Sequence, residues 1–492
     1  MITRGGMKPS LRDPSLLLDS AYHSGRWAGS ASGAVHEVRD PSDGSLVGTV
    51  PMLTAAETED ALVHAADAME SWKREPASKR AAILSRWHDL LVAHADDLAA
   101  ILTSEQGKPL AEARAEVSYG ADYVGWFAGE AVRIDGEVLQ APSRDKRILV
   151  LRQPVGLCAA ITPWNFPIAM VTRKVAPALA AGCAMVVKPA PQTPLSCLAI
   201  AELALRAGLP AGLFSVVTGE ASEIGPVLSM HPLVRKLSFT GSTEVGKLLI
   251  AQASGTVKKV TMELGGNAPF LVFEDADLEA AVAGLMSSKF RASGQTCICA
   301  NRILVHESVR EQFTTLLKQA VSELRVGPGT EEGITQGPLI DRDALEKVTH
   351  LVGDAVAKGA RVLLGGNPHP RGGTFYEPTI LEGCTPSMEL WHEEIFGPVV
   401  ALYGFATEHE AVAMANDTRV GLASYVYTRD MNRFWRVGEA LEYGMVGVNT
   451  GAISNAAAPF GGIKESGYGR EGSAHGINDY LTLKYLCLGG VE

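Results

Sequence analysis

The chain has no apolar run near the ~20 residues that a membrane-spanning helix needs; the leucine triplet at 16–18 is far too short. Its opening stretch, MITRGGMKPSLRDPS, has no apolar leader core, so no secretory signal is expected. Positive charge is not in excess. The formal net charge is −11, so no overall basic field draws nucleic acid or an anionic membrane, although a local cationic pocket remains compatible. Cysteine is sparse and scattered, at 158, 183, 197, 297, 299, 384 and 487. An odd number in mostly apolar surroundings reads as reduced thiols, and with the missing leader points to a soluble cytoplasmic protein. No second CxxC and no histidine cluster accompanies the 297/299 pair, which argues against a metal centre. There is no internal repeat, low-complexity tract or charge block.

What is there is an ordinary globular composition, 46% hydrophobic and 20% charged, over 492 residues, which makes more than one domain the expectation. Apolar spacing predicts helices over about 55–73, 77–105 and 110–130, the second stopped by Gly107 and Pro109. From about 147 the pattern changes to short apolar strands alternating with helices: LCAAITP, MVVKP, FSVVTG and KLSFTG. Such alternation predicts a parallel sheet covered on both faces, with ligands at the carboxyl ends of its strands. A second alternating series from about 268 (APFLVF, RILVH, RVLLGG, VVALYGF, ASYVYT, GMVGVN) predicts a second α/β domain. RILVLRQPVG and YLTLKYLCLGG stand outside both series, as an arm or a sheet with another subunit.

Four fragments carry chemistry. GSTEVGK at 241–247 fits the Walker A pattern until Leu248, where the magnesium-binding hydroxyl is missing. It is either a tight strand-to-helix turn or a helix N-terminus that takes a dinucleotide pyrophosphate without magnesium. FRASGQTCICANR at 290–302 holds Cys297 and Cys299. Two residues of extended chain span at most ~7 Å, so a disulfide between them would be strained and easily reduced. Either cysteine is a core filler, or Cys297 on its polar, glycine-containing turn meets a substrate as a nucleophile. VTMELGGNAPF ends an apolar strand in Glu263, a surface cap or a general base whose pKa burial would raise. TPWNFP brackets Asn165 with prolines and aromatics, as a stiff turn or a rigidly aimed oxyanion donor.

Taken together and in order, FRASGQTC, MELGG, PWNFP, FTGSTEVG, KPAPQTP, EEIFGP and PFGGIKESGYGRE resemble the aldehyde dehydrogenase superfamily, from about residue 20 to the C-terminus. TRKVAPALAAGC, KFRASGQTCICANR and GAISNAAAPFGG resemble its succinate-semialdehyde branch. The resemblance implies an α/β fold: a Rossmann-type cofactor domain (1–131 and 154–264), an α/β catalytic domain (265–446), a β oligomerisation arm (132–153 and 470–492), and a segment at 447–469 shared by the substrate pocket and the cofactor domain. It implies a homo-oligomer, dimer or tetramer. Cys297 would be the nucleophile, Asn165 with the Cys297 N–H the oxyanion donors, and Glu263 the base that activates water to hydrolyse a thioester. Cofactor contacts would come from Thr162, Pro163, Trp164, Asn165, Lys188, Pro189, Ala190, Pro191, Gly225, Gly241, Ser242, Val245, Leu264, Glu394 and Phe396.

Pro191 stands where many NAD-preferring relatives carry a glutamate. Without that carboxylate a 2′-phosphate is not repelled and Lys188 is free to pair with it, so NADP is expected, with NAD possible. Arg173, Arg291 and Ser454 would hold the far carboxylate of succinate semialdehyde, since arginine forks suit a carboxylate. Glutarate semialdehyde, or another ω-carboxy aldehyde, is the alternative substrate. A non-catalytic scaffold on the same fold is the alternative of another class. Cys299 would be either a filler or the partner in a redox switch.

Overall fold

In the computed structural model residues 9–491 are described. Residues 1–8, where the leader reading and the 1–131 segment begin, and residue 492 of the arm lie outside them.

The described residues form two large sheets. The first runs, edge to edge, Arg26–Ala28, Ala21–His23, Phe214–Val216, Met185–Lys188, Leu157–Ile161, Val234–Thr240, Lys259–Glu263 and Gly467–Tyr468. The five consecutive strands from Phe214–Val216 to Lys259–Glu263 are parallel. In chain order they lie third, second, first, fourth, fifth, so the order reverses between Leu157–Ile161 and Val234–Thr240. That reversal is the crevice where doubly wound sheets bind nucleotides. The strand sequences LCAAI and MVVK are apolar almost throughout because helices cover both faces. Helix Ala169–Ala181 is buried along its whole length, and Trp72 and Trp87 are anchored by indole hydrogen bonds to Leu179 O and Ile200 O, both at 3.0 Å.

The helix expected over 77–105 is two, Ala77–Ala93 and Ala95–Gln106. His94 leaves helical geometry at φ −103°, ψ 19°. Asp96 and Asp97 sit in the first turn of the new helix, where the dipole favours acids. Asp97 also accepts the Arg12 and Asp13 N–H groups at 2.7 and 2.9 Å, clasping the N-terminal segment.

The second sheet runs Arg361–Leu364, Thr379–Glu382, Val399–Phe405, Ala300–His306, Ala268–Val272, Ala423–Tyr427 and Met445–Val448, parallel except at the first pair. Helix Arg342–Ala357, absent from the sequence expectations, packs beside it. Its signals were present: Asp341 caps it by accepting Ala344 N–H at 2.9 Å, and Leu345, Val348, Leu351, Val352 and Ala355 bury one stripe. The two unassigned β segments pair with each other, Leu481–Gly489 against Lys146–Pro154, with Glu137–Leu139 on the other side. Of the stretch 470–492, Ile477 and Tyr480 pack into the core of the first sheet. Among the described residues no helix is long and apolar enough to cross a membrane.

Candidate active site

A cleft of about 310 Å³ opens between the two sheets. One wall is built from the carboxyl ends of three parallel strands: Pro163–Asn165, Thr240–Ser242 and Glu263–Gly265. The other carries Cys297, Ile340, Asp341, Ala344, Lys347 and Glu394–Phe396. Trp164 and Phe396 meet edge-on across it, centroids 5.5 Å apart. The turn after Val234–Thr240 leads into helix Thr243–Ser254, with Ser242 Oγ accepting Val245 N–H at 3.3 Å. A helix opening of this kind offers N–H groups to a phosphate.

Cys297 follows a loop with three consecutive left-handed residues, Ala292, Ser293 and Gly294, at φ 48°, 55° and 77°. For the two with side chains that costs roughly 1–2 kcal/mol each, so the loop needs props. Glu112 accepts Ala292 N–H at 2.7 Å, and Ser293 Oγ donates to Gly337 O at 2.9 Å. The Gln295 side chain donates to Ala292 O at 3.0 Å and accepts Ile340 N–H at 2.9 Å. Asn165 Nδ2 donates to Gln295 O at 3.0 Å, so the amide also positions the loop and keeps one N–H for another acceptor. A Cβ on Gly294 would lie 2.1 Å from Gly397 O, and one on Gly266 would lie 2.3 Å from Cys297 O. The second close approach explains why MELGG ends in glycine: the Glu263 turn lies directly on the nucleophile's backbone.

The electrostatics are those of a dry site. Burial pushes the Cys297 thiol up to about 12; Arg173 opposes this, and Glu394 and Glu263 reinforce it. Burial thus disfavours the thiolate relative to a free cysteine. Burial, then the charge of Glu471, holds the Glu263 carboxyl well above the usual range, against Arg173, Lys174 and Arg470. Both its oxygens lack a hydrogen-bond partner among the described residues. Burial raises Glu394 to about 7, although it accepts Gly266 N–H at 3.1 Å.

A second, narrower chamber lies on the far side of Cys297. Arg173, Arg291 and Ser454 all line it, with Tyr119, Phe166, Thr296 and Phe460. Arg173 is fully buried, ion-paired through Nε to Glu471, with its guanidinium 4.5 Å over Phe460. Its two terminal nitrogens have no hydrogen-bond partner among the described residues. Arg291 stacks 4.5 Å from Phe166. Cys299 lines neither space. It is buried, with Sγ 3.5 Å from Lys289 O, and both cysteines are free thiols.

The cofactor set divides. Pro163, Trp164, Asn165, Gly241, Ser242, Leu264, Glu394 and Phe396 line the cleft. Pro189, Ala190 and Pro191 line a separate cavity of about 200 Å³ with His36 and Thr218–Ala221. Thr162 and Lys188 are buried just behind, joined backbone to backbone by Thr162 N–H on Lys188 O at 3.1 Å. Gly225 and Val245 line neither space. Sequence reasoning missed Lys347, which reaches Glu394 O at 2.7 Å, and the buried Lys174–Glu471 pair beside Arg173. An acid followed by a helical apolar stripe marked the first. Only the fold joins the second, across 297 positions.

A Rossmann-type sheet whose crevice faces a half-buried cysteine, a carboxyl and an amide defines a nucleotide-dependent oxidoreductase with a cysteine at its centre. The chain belongs to the aldehyde dehydrogenase family, whose family model matches residues 27–486. It is 57% identical over 482 residues to a 3-sulfolactaldehyde dehydrogenase of Pseudomonas putida (98% of this chain, 99% of the relative). A glutarate-semialdehyde dehydrogenase of Pseudomonas aeruginosa is 55% identical (98% and 100%), and the NADP(+) succinate-semialdehyde dehydrogenase GabD of Escherichia coli 54% (97% and 99%). A solved succinate-semialdehyde dehydrogenase from Burkholderia pseudomallei superposes with TM-score 0.97 at 57% identity, covering 98% of this chain and 100% of that one.

Proposed function

We propose that this enzyme oxidises succinate semialdehyde to succinate through a thioester on Cys297, with NADP as the favoured cofactor and NAD as an accepted one. The observation that carries the substrate class is Arg173. It is a fully buried guanidinium with two free terminal nitrogens, in one chamber with Arg291, Ser454 and Cys297. Arginine forks aimed into a small desolvated space suit a carboxylate at the far end of a short aldehyde.

The residues fit a dinucleotide: the Ser242-capped helix offers its N–H groups to a pyrophosphate, Glu394 to ribose hydroxyls, and Trp164 and Phe396 flank the inner end. When bound, the nicotinamide supplies a hydride acceptor. The remaining steps belong to the chain. Cys297 gives up its proton and its sulfur bonds the aldehyde carbon; Glu263 in the same cleft takes that proton. Asn165 Nδ2 and the Cys297 N–H donate to the oxyanion. With the carbon oxidised to the thioester, Glu263 passes its first proton to solvent and then removes one from water, whose oxygen attacks the thioester; this second proton goes to the departing sulfur. The C–S bond breaks and the thiol is restored. A carboxyl raised by burial is a stronger base than a free one, which suits it to taking a proton.

Glutarate semialdehyde is the second reading, because one methylene alters pocket discrimination by only ~1–3 kcal/mol. Kinetics with succinate semialdehyde, glutarate semialdehyde and butanal, each with NAD and NADP, decide. We expect kcat/KM for succinate semialdehyde to exceed that for butanal by about 100-fold or more; equal values would refute the carboxylate clamp. The arm supports a homo-oligomer, dimer or tetramer, since Val138, Leu483 and Tyr485 leave apolar surface uncovered on it. The cytoplasm is the proposed location, in keeping with seven unbridged cysteines.

A further inference from the structure

The cavity next to the cofactor cleft has two facing walls. Pro189–Pro191 follow strand Met185–Lys188, and Thr218–Ala221 follow strand Phe214–Val216, its parallel neighbour. Both walls thus lie at the carboxyl ends of adjacent strands of the nucleotide-binding sheet. Lys188 stands at the base of the first wall, buried, and among the described residues its ammonium donates only to Pro189 O, at 3.3 Å. Glu220 stands on the second wall, exposed to the cavity. It precedes helix Ala221–Met230 and makes no capping hydrogen bond. It forms no salt bridge among the described residues, so its carboxylate is uncommitted. Burial lowers the Lys188 ammonium to about 8, and Glu220 is the charge that opposes this.

We propose that Glu220 determines cofactor specificity: from the wall opposite Pro191 its carboxylate hydrogen-bonds the adenosine ribose 2′-hydroxyl of NAD and repels the 2′-phosphate of NADP. This rests on the proposed use of NADP and on the reading, given above, that Lys188 and Pro191 meet the 2′-position of the cofactor, which places the adenosine ribose in this cavity. Pro191 removes an acid from one wall, and Glu220 returns one from the other. Lys188 pulls a phosphate in while Glu220 pushes it out, so Glu220 moderates the preference for NADP and keeps NAD accepted. Loss of the carboxylate leaves Lys188 unopposed and turns the cavity into a phosphate site.

The test is a comparison of Glu220→Gln and Pro191→Glu, each with dissociation constants for NADP and NAD from intrinsic-fluorescence titration and with the NADP/NAD ratio of kcat/KM. For Glu220→Gln we expect the ratio to rise about tenfold, as for removal of one partly solvated like charge, with NADP binding more tightly and NAD more weakly. For Pro191→Glu we expect the ratio to fall. If Pro191→Glu lowers the ratio while Glu220→Gln leaves both dissociation constants unchanged, the adenosine lies in the cavity and the role of Glu220 is overturned. If neither substitution moves the ratio, the placement of the adenosine fails, and the proposal with it. Glu220 is exposed, so thermal melting of Glu220→Gln should match that of the parent, which keeps the binding data interpretable.

Discussion

Two loops face each other across the cleft and are built in opposite ways. The turn Gly241–Ser242 is local: a strand ends, Ser242 caps the next helix within three residues, and the backbone N–H groups are ready. The loop Arg291–Cys297 is not local. It holds two non-glycine residues in left-handed geometry, propped by Glu112 of helix Leu110–Ala131, by Gly337 and Ile340, and by Asn165 of the turn after strand Leu157–Ile161. The lesson is a division of labour. Anion binding uses geometry that any helix start possesses. Covalent chemistry requires a sulfur held in one place, and that needs distant partners.

The comparison breaks most sharply at the nucleophile. Cys297→Ala should abolish aldehyde oxidation, with a loss of about 10⁴-fold or more in kcat, while the fluorescence-derived NADP dissociation constant stays within about twofold. Parallel loss of cofactor binding would show that the two loops are not independent. Next in size, Arg291→Ala should raise KM for succinate semialdehyde about 10–100-fold, the range expected for removing a charged hydrogen bond, and leave butanal kinetics nearly unaltered. An unchanged KM would take Arg291 out of substrate binding.

Gly294→Ala tests the props. Its Cβ would meet Gly397 O at 2.1 Å and its φ is +77°, so we expect about 1–3 kcal/mol of destabilisation in chemical denaturation. The fall in kcat should exceed any change in cofactor affinity. The smallest effect is on pH. Lys188 is charged below its lowered value of about 8 and neutral above it. NADP affinity should therefore decline as pH rises through that value, whereas NAD affinity, which needs no cation, should stay level. A parallel decline for both cofactors would separate Lys188 from the 2′-phosphate.

Much of the site was legible because its motifs are short and contiguous. MELGG placed Glu263 at a strand end, PWNFP gave a stiff turn, and strand-helix alternation gave the parallel sheets. The break at His94 was not legible, because apolar spacing continues through it and only the clasp of Asp97 on Arg12 and Asp13 explains the new start. Lys347 escaped notice because its helix was passed over. Glu471 escaped because nothing in its own neighbourhood marks a residue that meets Arg173 and Lys174 nearly three hundred positions away.

The sequence by itself determined which groups exist and in which local frames: a cysteine after a glycine turn, an acid at a strand end, a capped helix after a strand. Those frames follow from hydrogen bonding and backbone sterics over a few residues. Only the tertiary structure decided the upward pKa shifts of Cys297 and Glu263, the pairing of Arg173 with Glu471 and the sharing of one cavity by Pro191 and Glu220. The reason is physical: burial and the approach of charges depend on what packs around a group, and for these groups the neighbours come from elsewhere in the chain.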